Sequence, residues 1–284
     1  MARPLRLEFP GAFYHVFSRG IAREPILKTD QDRALFLRTL GRVVDRYHLK
    51  IHAYCLMKNH YHLLVETLEA NLSLAMRQLH GVYGQSYNRL RKRPGPVFQG
   101  RFKACLVDEE AYLKIVCRYI VRNPVKAKIV QRPEQWRWSS HRAMISLARA
   151  PEWLTTEKMY SVFDGKTVEE SRQRYREFII QEEQEGERDL ERLLGKVVLG
   201  EEAFRQKLTN MIQKQRTVQE VPKVQRYEGR PELTELFGGA MRKETRNLRI
   251  RKAHERHGYT QKAIADHLNL HYATISRIIA DEKC

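Results

Sequence analysis

The sequence predicts an α+β fold: a ferredoxin-like antiparallel sheet with helices packed on it, followed by an all-α C-terminal region with a helix-turn-helix. Three observations lead there. Strand-type and helix-type runs alternate through roughly the first 120 residues in the order β-α-β-β-α-β-α. Composition changes after about residue 150, and residues 165–220 are rich in Glu, Arg, Gln and Lys with few strand formers. The last fifty residues then show two short helical periods separated by a turn signal.

Residues 10–20, PGAFYHVFSRG, open the series as a strand. Phe13, His15 and Phe17 fall on one face, and Tyr14, Val16 and Ser18 on the other. Residues 30–47 read as a helix with Asp30 as N-cap and Leu35, Leu37, Leu40, Val43 and Val44 as its apolar stripe. Residues 50–57 and 60–66 are β-type runs separated by Lys58-Asn59, either a hairpin or one kinked strand. Helical spacing returns over 71–90 through Leu72, Ala75, Met76, Leu79 and Tyr83. A basic stretch punctuated by proline and glycine follows, Arg89 to Pro96, then a strand within Ala104 to Val107. The last helix of the series covers 108–122, opened by Asp108, Glu109 and Glu110 at the positive end of its dipole. Pro124 disfavours helical geometry at Asn123, so the helix should stop there. Composition divides the chain into 1–155, a mixed domain; 156–235, a helical connector ending in a linker from Pro222 to Pro231; and 236–284, the helix-turn-helix unit.

The 284 residues carry 52 Lys plus Arg against 34 Asp plus Glu, a formal net charge of +18. Such a field attracts polyanions, and nucleic acid is the leading partner. The four cysteines, Cys55, Cys105, Cys117 and Cys284, form no C-x-x-C pair, which speaks against a zinc knuckle or a disulfide framework. No apolar run is long enough for a signal peptide core or a membrane span, so the expected location is cytoplasmic, with no membrane partner.

His60-Tyr61-His62 is the sharpest local feature. On a strand both imidazoles face one side, about 7 Å apart at the backbone, and can converge on one divalent ion. Tyr119 and Asn123 sit four apart on one helix face. The Asn123 amide oxygen is a hard ligand, and the Tyr119 hydroxyl could stand beside the ion as a nucleophile. Spacing alone leaves open that Tyr119 packs in the core and that Asn123-Pro124 only ends a helix. Tyr112, two turns earlier, is the rival nucleophile but has Val116 where a ligand would be needed. His15 and His52 read as structural, and Trp136 and Trp138 as packing. Ser139-Ser140 reads as a helix N-cap. Between Arg89 and Lys103, basic residues interleave with Phe98 and Phe102, which suits phosphate contacts and base stacking or a solvated loop equally.

Several motifs together resemble one family, the REP-associated tyrosine transposases, a branch of the single-tyrosine HUH transposases. They are PGAFYHVFSRG (10–20), AYCLMKNHYHLLVET (53–67), FQGRFKACLVD (98–108), RYIVRNPVKAKIV (118–130) and WRWSS (136–140). The resemblance covers roughly the first half of the chain. It implies that 1–155 is an HUH catalytic domain, that His60 and His62 ligate Mg²⁺ or Mn²⁺ with Asn123 as third ligand, and that Tyr119 is the nucleophile. It further implies a single-stranded DNA endonuclease and strand transferase acting near hairpin or palindromic DNA through a 5′-phosphotyrosine. It leaves monomer and homodimer both open. The DNA-contacting set would include Arg89, Arg91, Lys92, Arg93, Arg101 and Lys103.

In residues 261–279, Ile264, Ala265 and Leu268 face inward on one helix and Leu270, Ile275 and Ile278 on the next. Asn269 sits at the turn, where left-handed geometry is needed. Tyr272, Thr274, Ser276 and Arg277 then point outward, as on a recognition helix meeting duplex DNA. The basic helix before it, from Arg242 to Arg256, suits backbone contacts. Two other readings stand beside the enzyme: a catalytically silent DNA-binding protein or repressor derived from a transposase, and a metal hydrolase that uses water and is indifferent to Tyr119→Phe.

Overall fold

The computed structural model describes residues 7–181, 198–204, 206, 208, 231–239, 241–257 and 259–280. Cys284, most of the acidic and basic stretch beyond residue 181 and nearly all of the Pro222–Pro231 linker lie outside them. The elements of the first unit are β1 (Ala12–Arg19), α1 (Asp30–Tyr47), β2 (Leu49–Leu56), β3 (His60–Thr67), α2 (Leu72–Arg91), β4 (Lys103–Val107), α3 (Glu109–Lys126), α4 (His141–Met144), α5 (Glu157–Val162), α6 (Val168–Ile180) and β5 (Val198–Leu199). The predicted order β-α-β-β-α-β-α holds.

The sheet runs β2-β3-β1-β4-β5. The first four strands pair antiparallel, with β1 central and paired along its whole length to β3, from Ala12 opposite Thr67 to Arg19 opposite His60. That is the ferredoxin-like order. β2 and β3 form a hairpin closed by Met57 N donating to His60 O at 2.9 Å, which settles the choice against one kinked strand. The addition is β5, two residues parallel to β4. A two-residue strand has no readable period, so it leaves no signal in the sequence.

Both faces of the sheet are covered, which explains why β1 and β3 are buried on alternate residues of either parity. On one face Tyr61 of β3 meets Phe36 of α1 (ring centroids 4.8 Å), and Phe36 meets Tyr83 of α2 (5.1 Å). On the other, Phe13, Ala53, Cys55, Leu64, Cys105 and Val107 pack with Leu113, Val116, Cys117, Ile120 and Val121 of α3. Burial raises the thiol pKa of Cys105 and Cys117 to about 12 and that of Cys55 further, so these cysteines behave as small apolar residues.

Three local expectations are corrected. The N-cap of α1 is Thr29, whose hydroxyl accepts from Asp32 N while the Asp32 carboxylate accepts from Thr29 N; Asp30 is the first helical residue. Ser140 holds the N-cap position of α4, but its hydroxyl accepts from Tyr54 N at 3.1 Å on β2 instead of capping. And α3 does not stop at Asn123: it runs through Pro124 to Lys126. Proline cannot supply the N–H that the Ile120 carbonyl needs. The Asn123 side chain compensates, its Nδ2 donating to Tyr119 O at 2.8 Å and to Ile120 O at 3.4 Å.

The boundary expected at residue 155 also moves. Met159, Phe163, Tyr175 and Ile179 of α5 and α6 belong to the same core as β1, β4 and α3. Two arginines of α3 clamp the C-terminal carbonyls of α6: Arg118 Nη1 donates to Phe178 O at 3.0 Å, and Arg122 Nη1 to Ile179 O at 3.2 Å and Gln181 O at 2.6 Å. Cations at a helix C-terminus are favourable by charge as well as by hydrogen bonding. The compact unit therefore includes α5 and α6. Trp136 and Trp138 pack as expected, with the Arg33 guanidinium 5.5 and 5.6 Å from their rings.

The second compact unit contains α7 (Leu233–Leu236), α8 (Lys243–Glu255), α9 (Gln261–Leu268) and α10 (Tyr272–Ala280). Phe237, Ile250, Ala253, Tyr259, Ile264, Ala265 and Ile275 form its core. Asn269 ends α9 with φ 51° and ψ 44°, the left-handed geometry expected of it. No described helix of either unit is long and apolar enough to cross a membrane.

Two outcomes follow from this packing. Burying four side chains such as Met159, Phe163, Tyr175 and Ile179 stabilises by roughly 6–12 kcal/mol in all, comparable to the roughly 5–15 kcal/mol of a whole domain. A chain ended after residue 155 is expected to lose its cooperative thermal transition by circular dichroism, while one ended after 181 keeps it; equal melting of the two would refute the shared core. The second outcome concerns His141, which is buried, bonds Tyr175 Oη at 3.1 Å, and has its pKa pulled down to about 4, chiefly by burial. Its folded pKa lies below its unfolded value near 6.5, so between these pH values the unfolded chain binds more protons. The stability it contributes is complete above pH ~6.5 and falls with decreasing pH by up to about 1.4 kcal/mol per unit. Urea melts from pH 7 to 5 should show His141→Phe with a pH slope shallower than the parent by about one proton; an unchanged slope would remove His141 from the acid response.

Candidate active site

The sheet register assembles the site. Phe17 lies opposite His62 and Arg19 opposite His60, so β1 and β3 present Phe17, Arg19, His60 and His62 on one face. Helix α3 crosses that face and brings Tyr119 and Asn123 to it. The Tyr119 ring stands edge-on to His62 (centroids 5.7 Å, 87°) and to His15 (5.7 Å, 80°). The Asn123 side chain lies close enough to His60 to raise its pKa. His60, His62, Tyr119 and Asn123 are thus brought together within one chain. These ring contacts belong to Tyr119; Tyr112 is half-buried and packs against the core.

Each imidazole has one nitrogen committed. His60 Nδ1 lies 2.7 Å from Asn59 Oδ1, an acceptor, so Nδ1 carries the hydrogen and Nε2 keeps a lone pair. His62 Nδ1 lies 2.9 Å from His15 Nε2. The Asn123 Nδ2 is engaged with backbone carbonyls, which leaves Oδ1 to offer. Burial holds the pKa of His62 well below 6.5, helped by charge repulsion from His15 and His60. His60 is lowered as well, first by burial, against the raising effect of the nearby Asn123 side chain, with a smaller lowering from Arg19. Neutral imidazoles are what a cation needs. Two imidazole nitrogens and one amide oxygen make a set that fits a divalent ion with open positions left for oxygen ligands. Among the described residues no group of three or more His, Cys, Asp or Glu forms a metal cluster.

Three cations surround the pair. Lys126 Nζ lies 4.8 Å from the Tyr119 ring centroid, and Lys103 Nζ 5.8 Å from that of Phe17. Arg19 donates from Nε to Gln99 Oε1 at 2.5 Å. Arg19 and Lys126 escaped the sequence reading; the former is signalled only by the β1–β3 register, and the latter by its place two turns after Tyr119.

The expected DNA-contacting residues divide. Arg89, Lys92, Arg101 and Lys103 are exposed. Arg91 instead turns inward: Nε and Nη2 bond the buried Asp32 carboxylate at 3.2 and 2.6 Å, and Nη2 also reaches Thr29 Oγ1. Arg93 pairs with Glu24 at 3.1 Å. Phe98 and Phe102 are buried, with Phe98 stacked on His80 at 3.8 Å, so they serve packing and not base stacking. His52 is structural as expected, buried and bonded to Glu66 at 2.9 Å. His15 is not peripheral: it lies inside the site. In the second unit Tyr272 and Arg277 are exposed and Thr274 and Ser276 half-buried on α10. Of the basic residues on α8, Arg249 bonds the carbonyls of Leu236 and Gly238, and Arg251 that of Ile278, so both hold the fold.

Residues 9–123 match the family model described as "Transposase IS200 like". A solved structure of a REP-associated tyrosine transposase bound to a REP hairpin is similar at TM-score 0.45 and 18% identity, covering 55% of this chain and 92% of that one. Curated protein sequences return no match. The matched segment contains β1 to β4, both site histidines, Tyr119 and Asn123.

Proposed function

We propose that the chain is a transposase-like endonuclease and strand transferase for single-stranded DNA, with Tyr119 as nucleophile. The observation that carries this reading is the placing of Tyr119 edge-on to His62 and one helical turn from Asn123, whose side chain lies beside His60. A repressor has no need of that arrangement. A water-using hydrolase has no need of the tyrosine.

The residues divide the work as follows. His60, His62 and Asn123 would hold Mg²⁺ or Mn²⁺, which when bound supplies Lewis-acid polarisation of the scissile phosphate. Lys103, Lys126 and Arg19 supply positive charge to the phosphate oxygens and to the phenolate. A phenol has a pKa near 10, so Tyr119 needs that positive field to lose its proton to solvent. Its Oη then attacks phosphorus, the P–O3′ bond breaks, and the departing 3′ oxygen takes up a proton. The product is a 5′-phosphotyrosine and a free 3′ hydroxyl. The phosphodiester is conserved in the P–Oη bond, so a 3′ hydroxyl from another end can reverse the step without ATP. All the named groups come from one chain, which supports a site complete in cis. A preference for sites beside hairpins or palindromes follows the motif resemblance.

The exposed Arg89, Lys92 and Arg101 would track the strand, together with Arg77 on the rim of a cavity of about 740 Å³ between α2 and residues 95–102. The α9–α10 pair is read as a helix-turn-helix for duplex DNA, with Tyr272 and Arg277 outermost. Arg277→Ala is expected to weaken duplex binding in a gel-shift titration by about 5- to 150-fold, the ~1–3 kcal/mol of a good side-chain contact, with nicking of single strands unchanged; full duplex affinity would argue for a protein-contact role.

The central test is covalent trapping. With labelled hairpin-bearing single-stranded DNA and Mn²⁺ or Mg²⁺, the parent should give a metal-dependent shifted protein band on a denaturing gel, and Tyr119→Phe none. A band that persists in Tyr119→Phe would move the nucleophile elsewhere. Binding without any adduct over a broad hairpin pool would favour the repressor reading.

A further inference from the structure

Phe17 opposite His62 accounts for the exposed edge of the site; His15, two residues deeper on β1, is unexplained by anything above. It is fully buried at the centre of the sheet. Its ring lies nearly parallel to His62 (centroids 5.1 Å, 8°), is flanked by Phe17 (5.2 Å, 22°) and meets the edge of Tyr119. Its Nε2 is 2.9 Å from His62 Nδ1, while its own Nδ1 is buried with no hydrogen-bond partner. A buried imidazole with one nitrogen orphaned is costly, and a phenylalanine would fill the space without that cost. The remaining bond is the one to His62.

That bond has two forms, each with both rings neutral and one N–H apiece. If His15 Nε2 donates to His62 Nδ1, the hydrogen of His62 sits on Nε2 and blocks that nitrogen as a ligand. If His62 Nδ1 donates to His15 Nε2, the hydrogen of His15 sits on its Nδ1, and His62 Nε2 presents a lone pair. Only the second form lets His62 hold a cation through Nε2. His60 has the matching arrangement, with Asn59 Oδ1 accepting from its Nδ1. The two histidines of the His60-Tyr61-His62 motif therefore each have an acceptor behind them, an adjacent amide for one and a strand neighbour for the other.

We propose that His15 is the positioning residue for His62: it accepts the Nδ1 hydrogen, fixes the plane of the ring, and keeps Nε2 open toward a divalent cation. This rests on the reading of His60 and His62 as cation ligands. Partners of this kind behind a ligand histidine typically contribute 10- to 100-fold in metal affinity.

The test uses the full chain and Mn²⁺ alone, with free aquo-Mn²⁺ followed by electron paramagnetic resonance and folding by circular dichroism. His15→Phe, which fills the space but accepts nothing, is expected to weaken Mn²⁺ binding about 10- to 100-fold. His15→Gln, whose Oε1 can accept from His62 Nδ1, should recover most of it. If His15→Phe folds and binds Mn²⁺ like the parent while His62→Ala loses binding, the positioning role is wrong and the cation site stands. If His62→Ala binds as well as the parent, the cation site itself is wrong and the proposal falls with it. Should His15→Phe fail to fold, long-range ¹H–¹⁵N correlation on the parent with saturating Mg²⁺ decides: a His62 ring protonated on Nδ1 is expected, and one protonated on Nε2 overturns the proposal.

Discussion

The uninterrupted pairing of β1 with β3 is the constraint on which the site depends. Eight residues of each strand are matched from Ala12–Thr67 to Arg19–His60. Side chains alternate across a strand, so a slip of one residue would turn His60 and His62 toward α1 and α2 and Tyr61 toward α3. The slip is resisted from both sides. Tyr61 is fully buried against Phe36 and bonds His80 at 2.7 Å through its hydroxyl. Leu64 is packed in the core under α3. A solvent-exposed sheet would have little to hold this register; a sheet buried on both faces has a great deal.

Helix α3 must meet two demands at once. Its Leu113, Val116, Cys117, Ile120 and Val121 close the core, while Tyr119 and Asn123 on a neighbouring stripe face the histidines. Pro124 would break the last turn where the second of these sits. The Asn123 Nδ2 resolves the conflict by bonding the carbonyls of Tyr119 and Ile120. The same contact aims Oδ1 away from the backbone and ties the side chain to the helix that carries the tyrosine. Asparagine is suited to this position because it has a donor for the helix and an acceptor to spare. An aspartate would bring charge but no donor, and would leave the carbonyls unanswered.

Much of this was legible in the sequence, for identifiable reasons. The strands of the central sheet announced themselves through β-branched and aromatic runs, and α1 to α3 through their apolar period. The His-x-His spacing placed two imidazoles on one face because strand geometry allows nothing else. What stayed hidden required partners distant in sequence. Arg91 looked like one more cation in a basic loop; only the fold shows Asp32, 59 residues away, buried beneath it. Phe98 and Phe102 looked available for stacking until α2 supplied His80. Backbone preference alone ends the helix before Pro124; the neighbouring Asn123 side chain overrides it. The place of His15 stays hidden too, since a lone histidine on a strand gives no clue to which neighbour it will meet.

The role of α6 shows how far the site's support extends. Arg118 lies one residue before Tyr119 and Arg122 one before Asn123, and both reach away from the histidines to the C-terminal carbonyls of α6. The helix that presents the tyrosine is thus held from behind as well as from the sheet side. Arg118 is almost completely buried, and its guanidinium stacks 4.0 Å from the Phe178 ring. α6 therefore both covers this charge and gives it an acceptor. Composition alone places a boundary before α6, since its sequence is rich in glutamate and arginine. The carbonyls that α6 offers are invisible to composition, because every helix end has them. Their orientation toward two arginines flanking the candidate site ties α6 to the same compact unit as the sheet.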